Sequence, residues 1–226
     1  FNDHDFRDTL AVSAVNSINW ARVMAQIVYY FTVGVSLGAP ERSIAFSVPS
    51  GNFGDVYAGY AASKMGLPVE QLIVATNRND ILSRFFNSGE YRKSGVDPTI
   101  SPSMDIQVSS NFERFLADLY GRDGAEVADL MEKLDRDGGF SVNMSRLNES
   151  IFAAGRCDEE ETFETIRKTL THSAKLVDPH TAVGLFVGEK CRKSGKTPLV
   201  TLSTAHPAKF PEAVERATGE RPALPQ

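Results

Sequence analysis

The stretch SIAFSVPSGNFGD, from Ser43 to Asp55, with VYAGYAASKMG behind it, limits what this chain can fold into more than any other. Ile44, Ala45, Phe46 and Val48 form a short apolar run stopped by Pro49, the pattern of a strand buried inside a sheet. Val56 to Met65 then reads as a helix, with Gly66 and Pro68 as its stop signal. Between them, Gly51 and Gly54 bracket Asn52 and Phe53, and glycine can take φ > 0 and let a ligand approach the backbone. Strand, glycine loop and helix together aim free N–H groups and the positive end of a helix dipole at one point, which makes a phosphate cradle. A plain βα connection has the same outline, so both readings stand at this stage. The loop is neither G-x-G-x-x-G nor G-x-x-x-x-G-K-[ST], which weakens dinucleotide and P-loop readings.

With 226 residues and 42% hydrophobic content, the chain can bury a core as one large or two small domains. Its formal charge of −5 comes from interspersed basic and acidic residues, which argues against nucleic acid and anionic membranes as partners. Cys157 and Cys191 sit in no metal-like or CxxC spacing and read as free thiols in a reducing, cytoplasmic setting. No metal site is expected. The apolar run Ile18 to Leu37 is broken by Asn19, Arg22, Gln26 and other polar residues, so it reads as a buried helix rather than a membrane span. The opening FNDHDFRDTLAVSAV has neither an initiator methionine nor signal-peptide character, and the chain is expected to be a fragment.

In order, the first helix is expected from Ser17, as cap, to Gly38, with Ile18, Ala21, Met24, Val28, Phe31 and Val35 as its core stripe and Val23, Ile27 and Tyr30 widening it. The glycine-loop unit follows, then a second strand over Leu72 to Ala75, giving a right-handed βαβ unit whose loops share one sheet edge. Asn77, Asn79 and Asp80 lie at that edge and can cap DILSRFFNSG. The stretch 89–176 reads as a mainly helical insertion, in which Ser110 and Glu113 have capping-box spacing. From 177 the α/β unit returns: Asp178 and Pro179 start a helix, and Leu199 to Leu202 form a third strand ending in Ser203, Thr204, Ala205 and His206. The expected fold is a doubly wound, mostly parallel α/β sheet with helices on both faces, divided into a cofactor-phosphate unit (1–88), the insertion (89–176) and the return (177–226).

Six motifs in order, VNSINWARVMAQ, PSGNFGDVYAGYAASKMGLP, IVATNRNDIL, SPSMDIQVSSNFERFL, LVDPHTAVG and LSTAHPAKFP, resemble the carboxyl-terminal half of threonine synthase in its longer bacterial and fungal form, from about Val15 to Phe210. That family is a pyridoxal-phosphate enzyme of the tryptophan-synthase-β fold type, or fold type II. The resemblance implies conversion of O-phospho-L-homoserine and water to L-threonine and phosphate, within threonine biosynthesis. It implies Gly51, Asn52, Phe53, Gly54 and Asp55 as cofactor-binding, and Thr204 as the hydroxyl that hydrogen-bonds the pyridine nitrogen; a local strand-end hydrogen bond is the bland alternative for Thr204. It also implies that the Schiff-base lysine lies upstream, in an amino-terminal half that would be this chain's partner, so no catalytic residue is expected here.

Lys64, Lys133, Lys168, Lys190, Lys193 and Lys196 read as solvated, and Lys209 is the lysine nearest the proposed site. Asn16, Ser17 and Asn19 offer donors to a substrate phosphate or cap the first helix. His180 and His206 are candidate acid or base groups by proximity alone, with structural hydrogen bonds the favoured role. Tyr29, Tyr30, Phe85 and Phe86 read as core. Rival readings are a dehydratase or other lyase of the same fold type, and a threonine synthase-like protein that binds a phosphorylated ligand without turnover.

Overall fold

The computed structural model describes residues 3–10, 16–147 and 150–224. In chain order its elements are α1 (His4–Thr9), α2 (Trp20–Ser36), β1 (Ile44–Pro49), α3 (Gly54–Lys64), β2 (Val69–Thr76), α4 (Ile81–Ser88), β3 (Glu90–Arg92), α5 (Phe112–Leu119), α6 (Gly124–Asp137), β4 (Gly139–Ser141), β5 (Phe152–Arg156), α7 (Glu159–Ser173), α8 (Pro179–Cys191), β6 (Leu199–Thr201) and α9 (Pro211–Thr218). Four strands pair in the order β5-β2-β1-β6, all parallel, while β3 and β4 form a separate antiparallel pair. Among the described residues no helix is long and apolar enough to cross a membrane.

The sheet is apolar on both faces because helices cover both. Phe46, Val48, Leu72 and Val74 point into the larger core shared with α2, α3, α4 and α5. Their alternating neighbours Ile73 and Ala75 meet Val183 and Val187 of α8 on the opposite face. Helix α8 comes closest at Gly184, where a Cβ would lie 2.6 Å from Pro49 Cγ, and the Ser47 hydroxyl donates to the Gly184 carbonyl at 2.6 Å. A glycine there lets the helix sit on the strand that leads into the loop.

Several local expectations change. Helix α2 is capped by Asn19, whose side chain accepts from the Ala21 N–H, rather than by Ser17. Its buried positions are Val23, Ile27, Tyr30 and Gly34, whereas Ile18, Met24, Val28 and Val35 are exposed. The helix packs through the face nearer α3, so the wider pattern is apolar on a side that no described residue covers. Helix α5 starts at Asn111 without a side-chain cap: Ser110 turns instead to Asn52, with its hydroxyl 3.2 Å from Asn52 Oδ1. Helix α4 likewise takes no side-chain cap: Asp80 pairs with Arg84 at 2.9 Å and Arg156 at 3.5 Å, while Asn77 and Asn79 are occupied by Asp105, Thr99 and Ser101. Finally, Phe152–Arg156, inside the stretch expected to be mainly helical, joins β2 as the outer strand of the main sheet.

Candidate functional site: an uncapped helix start facing a strand-end hydroxyl

The loop after β1 presents donors and hides acceptors. Ser109 Oγ donates to the Gly51 carbonyl at 2.5 Å, and the Asn52 carbonyl takes the Asn111 main-chain N–H at 3.0 Å and its side-chain amide at 3.2 Å. Phe53 N–H is held by Ser50 Oγ at 3.2 Å. The N–H groups of Gly51, Asn52, Gly54 and Asp55 meet no acceptor among the described residues, and the start of α3 has no side-chain cap. An eleven-residue helix with its first N–H groups open and its carbonyls satisfied from behind is an anion site in the making.

The residue that turns the loop is Phe53, not a glycine. Its φ of 61° and ψ of 6° place it in the left-handed region, while neither Gly51 nor Gly54 has positive φ. Gly51 is required for another reason: a Cβ would lie 2.8 Å from the Ser103 carbonyl oxygen. The left-handed conformation costs Phe53 about 1–2 kcal/mol, and what offsets it is burial. Phe53 is fully buried, with ring centroids of Phe112, Phe115 and Phe86 at 5.3, 5.9 and 5.9 Å. Phe85 and Phe86 are core, as expected.

Thr204 follows β6 at the same carboxyl edge of the sheet. Gly51, Thr204, Lys209 and His180 line one cleft of about 210 Å³. A buried triad holds Thr204 in place. Thr181 Oγ1 donates to Asp178 Oδ1, which leaves it free to accept the Thr204 N–H at 3.1 Å, and the two threonine hydroxyls stand 3.5 Å apart. Asp178 Oδ2 pairs with His180 Nδ1 at 2.8 Å, and His180 Nε2 takes the Ser103 N–H at 3.2 Å. That pairing assigns the His180 proton to Nδ1 and leaves it no free acceptor for acid–base work. Burial pushes the Asp178 carboxyl up, but the hydrogen bonds from His180 and Thr181 outweigh it and hold the carboxyl below its ordinary value.

Asp55 faces the other way. With Tyr30, Gln26, Tyr29, Phe46 and the β6 residues up to Thr204, it lines a larger cleft of about 540 Å³ between α2 and β6. Its Oδ1 is buried without a hydrogen-bond partner, and the Tyr30 hydroxyl donates to its main-chain carbonyl at 2.8 Å. Burial raises the Asp55 carboxyl to about 6.

Asn16, Ser17 and Asn19 arrive beside the loop, engaged in turns and capping. Asn16 Oδ1 accepts from Ile18 N–H, Asn19 Oδ1 from Ala21 N–H, and the Ser17 carbonyl from the Asn111 side chain at 2.8 Å. Val15 lies outside the described residues. Lys133 and Lys168 are in ion pairs with Asp129 and Glu164 one helical turn away; Lys64, Lys190, Lys193 and Lys196 are exposed. His206 is exposed and accepts from the Ala208 N–H. Both cysteines are free thiols, with burial pushing Cys157 up to about 12. Among the described residues, no group of three or more His, Cys, Asp or Glu is placed to hold a metal.

The supporting residues Ser109, Asn111 and Thr181 went unassigned in the sequence. Their only sign there was short polar runs, SSN and DPHT, flanking apolar helices, a pattern that capping alone also explains.

The fold defines a class: the α/β fold of type II pyridoxal-phosphate enzymes. Within it, residues 181–226 match the family model "Threonine synthase, C-terminal". The threonine synthase of Pseudomonas aeruginosa is 56% identical across all of this chain, which covers 49% of that protein. The crystal structure of PLP-bound threonine synthase from Brucella melitensis superposes with a TM-score of 0.95 at 56% identity, over 100% of this chain and 49% of that one. Human threonine synthase-like 1 is 35% identical over 96% of this chain, which covers 31% of that protein. The chain is similar along its whole length to the carboxyl-terminal part of these threonine synthases, and spans about half the length of the curated threonine synthases it matches.

Two outcomes follow from the loop and its neighbour. Phe53→Ala loses the aromatic burial and keeps the left-handed strain, so urea unfolding should show a loss of about 3–5 kcal/mol. Phe53→Gly should lose no more than Phe53→Ala, and about 1 kcal/mol less where strain relief dominates, reversing the usual preference for alanine over glycine. For Asp55, the folded state holds its proton to about pH 6 while the unfolded chain releases it near 3.8. Its contribution is therefore favourable below pH 4 and is lost as pH rises through 6. Asp55→Asn should flatten that decline and stabilise this chain at pH 7 by up to about 3 kcal/mol, read from unfolding midpoints between pH 4 and 8.

Proposed function

We propose that this chain is the cofactor-phosphate half of a threonine synthase, an enzyme converting O-phospho-L-homoserine and water to L-threonine and phosphate in the cytoplasm. The observation that carries the reading is the set of open N–H groups at Gly51, Asn52, Gly54 and Asp55, backed by carbonyls already satisfied. These groups fit a phosphate, and Thr204 lies on the same cleft to meet a ring nitrogen.

In this reading the loop N–H groups and the α3 dipole hold the phosphate of pyridoxal phosphate, with the aromatic cluster behind Phe53 fixing their direction. The Thr204 hydroxyl donates to the pyridine nitrogen, since the Thr181 proton is committed to Asp178 and Thr204 keeps its own. A neutral donor leaves that nitrogen without a full proton and tempers electron withdrawal. Bound there, pyridoxal phosphate supplies stabilisation of carbanions at the substrate carbons. The amine that anchors the cofactor and moves protons comes from the amino-terminal half, because Lys209, the lysine on this cleft, is exposed and offers only a positive charge near the phosphate.

A second reading is a threonine synthase-like protein, the name that a human relative carries, that binds a phosphorylated ligand without turnover. Phosphate release from O-phospho-L-homoserine with pyridoxal phosphate separates the two. This chain alone should be silent, and mixing it with the separately produced upstream half should give turnover. Gly51→Trp should abolish that turnover, and Thr204→Val should lower it about 10²-fold. Silence from a folded, associated mixture would favour the binder, and turnover by this chain alone would redirect attention to Lys209.

A further inference from the structure

Gly51 opens the row of free N–H groups, and its place is set from behind. A Cβ there would lie 2.8 Å from the Ser103 carbonyl oxygen and 3.2 Å from Met104 Cα, so the loop rests on the single 3₁₀ turn Pro102–Met104. Asp105, which closes that turn, accepts through Oδ1 from the side chains of Asn77 at 2.7 Å and Asn79 at 3.0 Å. Ser103, within the turn, donates its N–H to His180 Nε2 at 3.2 Å. A histidine can accept there only in one tautomer. Its Nδ1 donates to the fully buried Asp178 at 2.8 Å, which keeps the proton on Nδ1 and turns the Nε2 lone pair to Ser103. The imidazole is 4% exposed, with the Phe210 ring centroid 4.7 Å away. The other oxygen of Asp178 takes the Thr181 proton, and Thr181 accepts the Thr204 N–H at 3.1 Å. One turn of α8 thus reaches both ends of the cleft, His180 toward Gly51 and Thr181 toward Thr204.

We infer that His180 is a positioning residue for the phosphate loop: through Ser103 it fixes where the Gly51 N–H points, and so sets how strongly the site prefers pyridoxal phosphate to pyridoxal. The inference rests on the proposed reading of the loop as a cofactor-phosphate cradle, and adds to it a residue that acts only through another. Hydrogen bonds weaken steeply with misdirection. A shift of Ser103 is therefore felt at the phosphate, whereas the ring nitrogen answers to Thr181 and Thr204.

Dissociation constants for pyridoxal phosphate and for pyridoxal, read by fluorescence on this chain combined with the upstream half, test this. An asparagine amide nitrogen takes the place of Nδ1 and keeps Asp178 paired, but leaves Ser103 without its acceptor; a glutamine oxygen reaches the place of Nε2 and keeps that acceptor. His180→Asn should lower the preference for the phosphorylated compound about 10-fold, the worth of one well-aimed hydrogen bond, and His180→Gln should hold most of it. Thr181→Val should weaken both compounds alike and leave the preference as it was. In the ligand-free samples, amide exchange at Ser103 should quicken about 10-fold or more in His180→Asn and stay slow in His180→Gln. An unchanged preference in His180→Asn, equal weakening of both compounds, or a loss in His180→Gln as large as in His180→Asn would each overturn the inference. Absence of any preference in the unmodified protein would instead overturn the cradle reading, and the inference with it.

Discussion

A phenylalanine in a left-handed turn decides where everything at this site points. Leaving the buried strand β1, the chain must reverse into α3 within four residues, and the turn is made at Phe53 with φ of 61°. Such a conformation costs any side chain energy, and it persists because the ring is fully buried among Phe86, Phe112 and Phe115. Hydrophobic burial in the larger core thus fixes the direction of N–H groups on the surface. Stability and the direction of those N–H groups are linked through one side chain.

The polar groups around the loop follow from that constraint. Once Phe53 is anchored, the Gly51 and Asn52 carbonyls face inward and need donors, which Ser109 and Asn111 supply. Those residues are held near the carboxyl edge by a loop pinned through Asp105, Thr99, Asn77 and Asn79. On the far side of the cleft, Asp178 distributes its two oxygens between Thr181 and His180, so one buried carboxylate orients both Thr204 and Ser103. The cleft is therefore preorganised from both sides by groups that do not line it with charge.

What the sequence made legible were features with local causes. The apolar run before Pro49, the helix after Gly54 and the strand before Thr204 each carry their own pattern, and each forms as expected. Ser17 and Ser110 show where this stops. A polar residue near a helix start caps it unless a more distant partner competes, and Ser110 is drawn away by Asn52, which is distant in sequence. β5 was missed because FAAGR is short and contains two alanines and a glycine, so its strand character comes from pairing with β2 rather than from its own residues. The left-handed turn was assigned to glycines since glycine tolerates it best; burial of a phenylalanine is a tertiary cause that no local pattern announces. The exposed flank of α2 was legible as apolar, but not as uncovered.

Whether the loop is a phosphate cradle can be read directly from its amides. The measurement is an amide ¹H–¹⁵N spectrum of this chain, isotopically labelled and combined with an unlabelled upstream half, saturated first with pyridoxal and then with pyridoxal phosphate. The shifts that require the phosphate should concentrate at Gly51, Asn52, Gly54 and Asp55, with Phe53, whose N–H is held by Ser50, moving less. Equal shifts with both compounds, or phosphate-dependent shifts centred on another part of the chain, would contradict it.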